Sequence, residues 1–376
     1  MILLDIPHSL EQAQGDSRQR IFSSEPLEHP FPSVEPKTTK AKANLGEVSI
    51  EELLLQRHVQ IALDGIKEVY QGEWCLPRTA KEAPRMKRRH IEESECETEE
   101  CSAVDKQRNS ENEGLQMSST SYQDSILHRN PESESIYTLS ELAGQKIRLP
   151  RNSTALVGDV ATTLPIFTSV APQFNLIIMD PPWPNRSARR KGSYGISYST
   201  TEIRDLLSLI PISDHLAEKG LVGVWITNKA AFRDMLLGEG GLFDEWGIEL
   251  GEEWVWVKVT KKGETVSKLN SLWRKPYEIL LVGRRREEGI QSTEVKRRVI
   301  FGVPDLHSRK PNLKSVFKKV MELERYEALE IFARNMTDGW WAWGNEALKF
   351  QMNEHWINNI QDSLPSGQIQ TLDIRT

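Results

Sequence analysis

From Ile136 onward, short apolar runs alternate with stretches that have helical spacing, and this alternation limits the possible folds more than any other feature of the chain. Apolar runs between helical segments are typical of buried strands in a parallel α/β sheet. Helices are expected to begin near Thr201, Asn228 and Pro311, the last with proline in its first helical position. The predicted strands lie at 156–158, 176–179, 221–227, 254–259, 279–282 and 328–332.

The part of the chain before this region has a different composition. Residues 1–47 are polar and contain several prolines, which predicts a disordered tail. Ser49 and Glu52 match a helix capping box, and helical spacing of apolar residues up to about Tyr70 predicts an amphipathic helix within 48–79. This helix could pack on the main domain or bind a partner. Further predicted segments are a disordered acidic linker at 80–135, a folded domain at 136–358 and a flexible tail at 359–376.

The net charge of −6 over 376 residues is unevenly distributed. From Ile136 to the end, 32 Lys and Arg oppose 29 Asp and Glu, whereas the earlier part has 16 against 25. A mildly basic main domain is compatible with nucleic acid but does not require it. The basic cluster at 85–90 is either a nuclear localisation signal or a solvated charge run.

Cysteine content and hydropathy limit the location and the cofactors. The three cysteines have no metal-ligand spacing with histidine, so we expect a reducing intracellular compartment and no metal. No membrane-spanning run and no secretion signal is expected either.

The sequence Asp180, Pro181, Pro182, Trp183 directly follows the predicted strand at 176–179, and ligands bind at the carboxyl ends of such strands. The Asp180 carboxylate and the Pro181 carbonyl could accept both N–H bonds of an exocyclic amine on a flat base. The prolines restrict the backbone, and Trp183 offers a face for stacking. The pattern predicts a catalytic loop for methylation of such an amine. An ordinary turn is the alternative, since Asp and Pro favour turns.

A second polar group follows the predicted strand at 328–332. Arg334 and Asn335 come first, and Asn345 and Glu346 follow a tryptophan-rich segment. Amide and carboxylate groups of this kind can bind the hydroxyls of a ribose, although dense tryptophans more often belong to a core. No glycine-rich dinucleotide fingerprint follows the first strand of this region.

Taken together, these motifs resemble the MTA-70 family of S-adenosylmethionine-dependent adenine N6-methyltransferases, and within it the methyltransferase-like protein 4 branch. The resemblance extends from about residue 156 to residue 350. It rests on motifs that occur in the family's order at 158–160, 180–183, 225–228, 253–258, 275–278, 307–311, 332–335 and 343–346.

This resemblance implies a permuted Rossmann-like methyltransferase fold for 136–358. A mostly parallel central sheet would carry helices on both faces, and the catalytic loop would precede the cofactor strand. S-adenosyl-L-methionine is the implied cofactor. Asp159 and Val160 would lie beside its adenine, and Lys310 would meet its methionine carboxylate. The residues implied around its ribose are Arg334, Asn335, Asn345 and Glu346.

The resemblance also implies a substrate. Tyr198 would lie near the methyl-transfer path, and Glu278 would line the substrate side. Nucleic acid is the expected partner, with RNA, specifically a small nuclear RNA, favoured over DNA. A non-catalytic RNA-binding subunit is a further alternative, although the catalytic loop and the cofactor residues are intact. The nucleus is the expected location, otherwise the cytosol, and a protein partner cannot be named.

Between the catalytic loop and Tyr198 the chain carries Arg186, Arg189, Arg190 and Lys191. We expect these residues to contact substrate phosphates, because they adjoin the ligand-binding end of a strand. A solvated basic loop is the alternative.

Replacing all four basic residues with alanine should weaken binding of an RNA oligonucleotide and flatten its salt dependence. Each lost phosphate contact should lower the log–log salt slope by about 0.7 for a single strand. The measurement is oligonucleotide affinity at several salt concentrations, with cofactor affinity as the control that should not change. Parallel salt slopes for the wild type and the variant would favour the solvated loop.

Overall fold

The computed structural model describes residues 1–15, 19–32, 48–80, 126–140, 145–184, 199–271, 274–286, 294–307 and 309–358. Its strands are β1 Ile2–Leu3, β2 Gln19–Ser23, β3 Thr79–Ala80, β4 Leu127–Asn130, β5 Ile136–Ser140, β6 Gln145–Leu149, β7 Ser153–Val157, β8 Phe174–Met179, β9 Leu216–Ile226, β10 Ile248–Lys258, β11 Tyr277–Arg285, β12 Lys296–Gly302, β13 Ala328–Ile331, β14 Trp340–Gly344 and β15 Trp356–Asn358. Its helices are α1 Ile6–Gln12, α2 Ile50–Val69, α3 Val160–Val170, α4 Thr200–Leu209, α5 Ile212–His215, α6 Ala230–Leu237, α7 Leu242–Glu245 and α8 Lys314–Met321.

A ten-stranded sheet forms the centre of the described protein, in the order β1-β12-β10-β11-β9-β8-β13-β14-β7-β4. Only β11 and β4 pair antiparallel to their neighbours, so the other strands all point the same way. The predicted fold class, a mostly parallel α/β sheet, is confirmed. Strands β8 and β13 are hydrogen-bonded neighbours in the sheet, and β8 comes first in the chain. The catalytic loop, which follows β8, therefore precedes the predicted cofactor strand β13, as expected.

Helices cover both faces of this sheet. On one face α2, α3, α4 and α6 bury Ile66, Phe167, Leu207 and Leu236 in the larger apolar cluster. On the other face α1 and α8 pack against a second cluster, which contains Trp254 and Trp256 of β10. Because both faces are covered, the central strands are apolar on both sides, which explains why the sequence showed continuous apolar runs rather than alternation. No helix in the described ranges has the length and hydropathy that a membrane-spanning segment needs.

Helix α3 was not predicted from the sequence. It contains Pro165 and several β-branched residues, which disfavour a helix interior. Asp159 stabilises its start, since Oδ1 accepts the backbone N–H groups of Ala161 at 3.0 Å and Thr162 at 3.2 Å. At its centre Phe167 stacks on Trp343 at 4.1 Å between ring centroids. Burial against the sheet therefore outweighs weak intrinsic propensity.

The amino-terminal segment is folded, contrary to the predicted disordered tail. Strand β1 pairs parallel to β12, with Ile2 opposite Ile300, and α1 buries Ile6 and Leu10 beneath the sheet. The segment is held by buried polar contacts that its local composition does not reveal. Gln14 donates to the Met336 carbonyl at 2.9 Å, and the backbone N–H of Asp338 donates to the carbonyl of Ala13 at 2.7 Å.

Three further predictions are corrected or refined. The predicted disorder of the linker at 80–135 is wrong for its last residues, because β4 pairs with β7 in the central sheet. Residues 33–47, 81–125 and 359–376 lie outside the described residues, so the predictions for them stay predictions. Helix α2 is confirmed and packs on the domain, with Ser49 accepting the backbone N–H of Glu52 at its start. Helix α8 begins at Lys314 rather than at Pro311, because Asn312 fixes the preceding segment by donating to Thr337 at 2.7 Å.

The isoleucine pair Ile6 and Ile61 tests whether the amino-terminal segment belongs to the core. Both residues are helical, but Ile6 is fully buried while Ile61 is 57% exposed. Ile6→Ala should lower the free energy of unfolding by about 2–5 kcal/mol, whereas Ile61→Ala should change it by less than about 0.5 kcal/mol. Urea denaturation of both variants provides the measurement, and equal effects would show that the segment does not pack as described.

Candidate active site

A polar cleft that is partly open to solvent lies where the parallel strands end. It is bounded by β8, β13 and the segment before α8, and Leu10 of α1 forms part of its wall. The residues that bring polar side chains to its lining are Asp180, Arg309, Lys310, Asn312, Glu330, Arg334 and Asn335. Four of the predicted site residues therefore share one cleft, at the sheet edge where parallel strands generally present ligand-binding groups.

A chain of alternating charges crosses this edge of the sheet. Lys310 Nζ lies 2.9 Å from Asp180 Oδ2 and 2.9 Å from Glu278 Oε2. The other oxygen of Glu278 pairs with Lys258, at the end of β10. Glu278 reaches this place because β11 runs antiparallel, so that its first residues lie at the carboxyl edge of its neighbours.

Their mutual attraction keeps these groups charged despite burial. Burial raises the pKa of Glu278, but Lys310 and Lys258 outweigh burial and hold that pKa at about 2. Burial lowers the pKa of Lys310, yet Asp180 and Glu278 together raise it above its usual value. Lys310 is thus a fixed cation that gives two of its three N–H bonds to carboxylates. The third N–H bond can serve a ligand.

The catalytic loop presents Asp180 at the end of β8. Asp180 Oδ2 accepts from Lys310 at 2.9 Å, while Oδ1 has no hydrogen-bond partner among the described residues. The Pro181 carbonyl accepts the backbone N–H of Trp183 at 2.7 Å, which closes a tight turn and leaves this oxygen one further lone pair. Both acceptors proposed for an amine therefore keep capacity for a substrate.

The predicted stacking role of Trp183 is wrong. Its indole lies in the core, where the ring stacks on Phe232 with the centroids 4.5 Å apart. The indole N–H donates to the Trp225 carbonyl at 2.7 Å. Because its ring is buried and its polar atom is satisfied, Trp183 anchors the catalytic loop to β9 and α6 and offers no face to a base.

The second polar group occupies the ends of β13 and β14. Phe332 has a positive φ of 59°, a conformation that is costly for a bulky residue and is found mostly at functional sites. It turns the chain so that Arg334 and Asn335 both line the cleft. Arg334 Nε then pairs with Glu346 Oε2 at 3.0 Å, which joins the two strand ends. Asn345 lies beside Glu346 and is exposed.

Asp159 and Val160 lie at the same edge of the sheet but do not line the cleft. Asp159 is the N-cap of α3, and Val160 is buried. The end of β7 is nevertheless joined to the end of β14, since Gly158 N–H donates to the Gly344 carbonyl at 3.3 Å. The predicted contact of Asp159 and Val160 with a cofactor adenine remains a prediction. The predictions for Arg186, Arg189, Arg190, Lys191 and Tyr198 lie outside the described residues.

Sequence reasoning missed Arg309, which lines the cleft next to Lys310. Its Nη1 donates to Asp305 Oδ2 at 2.6 Å and to the Phe22 carbonyl at 2.8 Å, and its guanidinium lies 4.4 Å from the centroid of the Phe350 ring. Its Nε and Nη2 are buried without a hydrogen-bond partner. Buried donors in this state are costly unless a ligand satisfies them. Its place between His307 and Lys310 in a family motif was the available signal.

Sequence reasoning also missed Glu330, which lines the cleft as well. It is the one charged residue of β13, between Leu329 and Ile331, which are almost fully buried. A single acid in an otherwise buried strand was the signal that could have identified it, because unpaired carboxylates are rarely buried. Burial and the nearby Asp180 raise the pKa of Glu330 to about 7, although Arg334 opposes this shift.

The sequence that forms this site is similar to those of known proteins. The sequence profile of the MT-A70 family matches residues 174–346, a range that contains Asp180, Glu278 and Lys310. The N6-methyladenosine RNA methyltransferase MTA1 of Cryphonectria parasitica is 37% identical over 96% of this chain and 92% of its own length. The N(6)-adenine-specific methyltransferase METTL4 of Homo sapiens is 33% identical over 82% of this chain and 66% of its own length. The DNA N6-methyl methyltransferase of Caenorhabditis elegans is 30% identical over 58% and 57%.

The ion pairs of Glu278 with Lys310 and Lys258 predict that its contribution to stability depends on pH. Glu278→Gln should lower the free energy of unfolding at pH 7 by about 3 kcal/mol, because Lys258 loses its carboxylate and Lys310 keeps one of two. The folded-state pKa of Glu278 lies below its ordinary value of 4.5, so this stabilisation is complete above pH 4.5 and is lost as the pH falls toward 2.

Urea denaturation from pH 7 down to about pH 3.5 should therefore show the difference between the wild type and Glu278→Gln narrowing by roughly 1 kcal/mol at the acid end. Glu324→Gln is the matched control, since it removes a carboxylate from an exposed pair with Lys318 and should have little effect at any pH. A difference between the wild type and Glu278→Gln that stays constant over this range would contradict the assignment.

Proposed function

The chain belongs to the MT-A70 family and is an adenine N6-methyltransferase; we propose that it uses S-adenosyl-L-methionine to methylate adenine in RNA. The main support for this proposal is the hydrogen bonding of the Asp180 carboxylate. One of its oxygens is fixed by Lys310 and the other has no partner among the described residues, at the mouth of a polar cleft. An acceptor held in this way suits the N–H bond of an exocyclic amine.

RNA is favoured over DNA by the comparisons. The relative that matches over nearly the whole of both chains is named as an RNA methyltransferase, whereas the relative named for DNA matches over little more than half of this chain. A base inside a duplex would first have to leave the stack, so an unpaired adenosine is the easier target. A small nuclear RNA as the substrate and the nucleus as the location rest on the family resemblance and on the basic cluster at 85–90.

The polar groups of the cleft fit S-adenosyl-L-methionine. Its carboxylate requires N–H donors. Lys310 has one remaining N–H bond, and Arg309, whose Nε and Nη2 are buried without a hydrogen-bond partner, lines the same cleft. Its ribose requires polar partners, which Asn335 and the Arg334–Glu346 pair can supply, with Asn345 beside them. Asp159 and Val160 would lie next to its adenine, beyond Gly344.

The mechanism follows from what these residues hold in place. S-adenosyl-L-methionine supplies a methyl group that its sulfonium already activates. Asp180 accepts one N–H bond of the adenine amine and stabilises the positive charge that develops on the nitrogen during transfer. The Pro181 carbonyl accepts the second N–H bond. Because Lys310 and the buried Trp183 fix the loop, these acceptors need no rearrangement when the amine arrives.

The other predicted substrate residues complete the proposal. Glu278 acts on the substrate side through Lys310, whose position it fixes. Tyr198 would lie near the path of the methyl group. Arg186, Arg189, Arg190 and Lys191 would contact phosphates, as their place between the catalytic loop and α4 suggests.

The central test is Asp180→Asn, which keeps the size of the side chain and removes its charge. Methyl transfer should fall by about a hundredfold or more, the usual loss when a key electrostatic partner is removed. Mass spectrometry of N6-methyladenine in RNA and DNA oligonucleotides of one sequence gives the readout and decides between the two substrates.

Asp205→Asn is the matched control for Asp180→Asn, because Asp205 is an exposed carboxylate on α4, and it should retain wild-type activity. Asp180→Asn activity within threefold of the wild type would exclude the proposed role. A wild-type protein that methylates neither oligonucleotide would favour a non-catalytic subunit.

A further inference from the structure

The carboxylate of Glu330 is the one acidic group of the cleft lining that lacks a cationic partner among the described residues. Glu330 lies opposite Ile178 of β8 and Ala342 of β14, so neither neighbouring strand offers it a counter-charge. It has no hydrogen bond or ion pair within the described part of the chain, and its half-buried side chain lines the cleft. An unpaired carboxylate in such a place costs stability and therefore calls for a functional explanation.

Each cation among the described residues that line the cleft is already bound to another acid. Lys310 is shared by Asp180 and Glu278, Arg334 pairs with Glu346, and Arg309 pairs with Asp305. Asp180, the other acid near Glu330, repels it. Arg334 lowers the pKa of Glu330, but it already pairs with Glu346 and does not outweigh burial and Asp180. A positively charged group of a bound molecule would therefore favour the ionised form of Glu330.

The proposed cofactor carries one cation of suitable chemistry. Its sulfonium has no N–H bond, whereas the α-ammonium of its amino-acid end has three and sits on the same carbon as its carboxylate. On the basis of the proposed function, we propose that Glu330 binds this ammonium. The carboxylate on the same carbon then meets the remaining N–H bond of Lys310, with the Arg309 cation beside it, so the cleft offers an acid and two cations to an α-amino acid.

If Glu330 binds the ammonium, cofactor binding is coupled to the release of a proton from Glu330. The pKa of Glu330 is raised to about 7 by burial and by Asp180, so at pH 6.5 most of the free protein carries a proton on this group. A bound ammonium favours the ionised form, and the proton leaves to solvent. The ligand's own amine stays protonated at this pH. Affinity should therefore fall as the pH drops below about 7, approaching tenfold per pH unit.

Isothermal titration calorimetry with S-adenosylhomocysteine tests the proposal, because this ligand keeps the amino-acid end and cannot react. Titrations at pH 6.5 in buffers of different ionisation enthalpy count the protons released. We expect about 0.7 proton for the wild type, as linkage to a group with a pKa near 7 requires. Glu330→Gln should release none and bind at least about tenfold more weakly, with affinity independent of pH between about 5.5 and 7.

Two controls separate this role from a structural one. Glu327→Gln removes an exposed carboxylate three residues earlier in the chain and should behave like the wild type. The ligand 5′-methylthioadenosine lacks the amino-acid end, so the wild type and Glu330→Gln should bind it equally and without proton release. Equal binding of this ligand also shows that the variant is folded.

Each outcome has a defined meaning. Wild-type proton release that is the same for S-adenosylhomocysteine and 5′-methylthioadenosine overturns the role of Glu330, and this result needs no variant. Glu330→Gln that binds S-adenosylhomocysteine as the wild type does, with the same proton release, overturns it as well. A wild type that binds neither ligand overturns the proposed function itself, and this inference with it.

Discussion

The active-site edge depends on one partly buried ammonium group shared by two carboxylates. Lys310 comes from the segment before α8, Asp180 from the end of β8 and Glu278 from the start of β11, so one cation ties together three parts of the chain. Without it, two half-buried acids would repel each other at the cleft, which raises the free energy of their ionised forms. The Lys258 contact extends the same alternation to β10. The position of the catalytic loop and the charge of the cleft therefore have a common origin.

Much of the sheet and part of the site could be predicted from the sequence for one physical reason. Strands that are buried on both faces appear as apolar runs, and β8 and β13 were found in this way. Because parallel strands end at one edge, the polar residues that follow those runs had to lie near one another, and Asp180, Arg334 and Asn335 do. Lys310 and Glu278 follow no such run of a parallel strand, and only their motifs identified them.

What could not be predicted depends on contacts between residues far apart in the chain. The amino-terminal segment folds despite its polar composition because distant groups satisfy its buried glutamines. Gln351, for example, donates to Gln14 at 3.0 Å. The burial of Trp183 depends on Phe232, and the unpaired state of Glu330 depends on which acids its neighbours have already bound. The environments of the glutamines and of Trp183 have no local pattern, since each is defined by partners that lie tens or hundreds of residues away.

The pairing of β1 with β12 has a consequence for how the protein is made. Ile2 is hydrogen-bonded into the sheet beside Ile300, and Leu10 of the adjoining helix completes the wall of the cleft. During synthesis the early segment must wait for its partner strand while almost three hundred residues are added. Long-range parallel pairing is slow and leaves apolar surface exposed in the meantime. The cleft is therefore among the last parts of the molecule to assemble, and a nascent chain cannot bind cofactor before most of the catalytic domain has been translated.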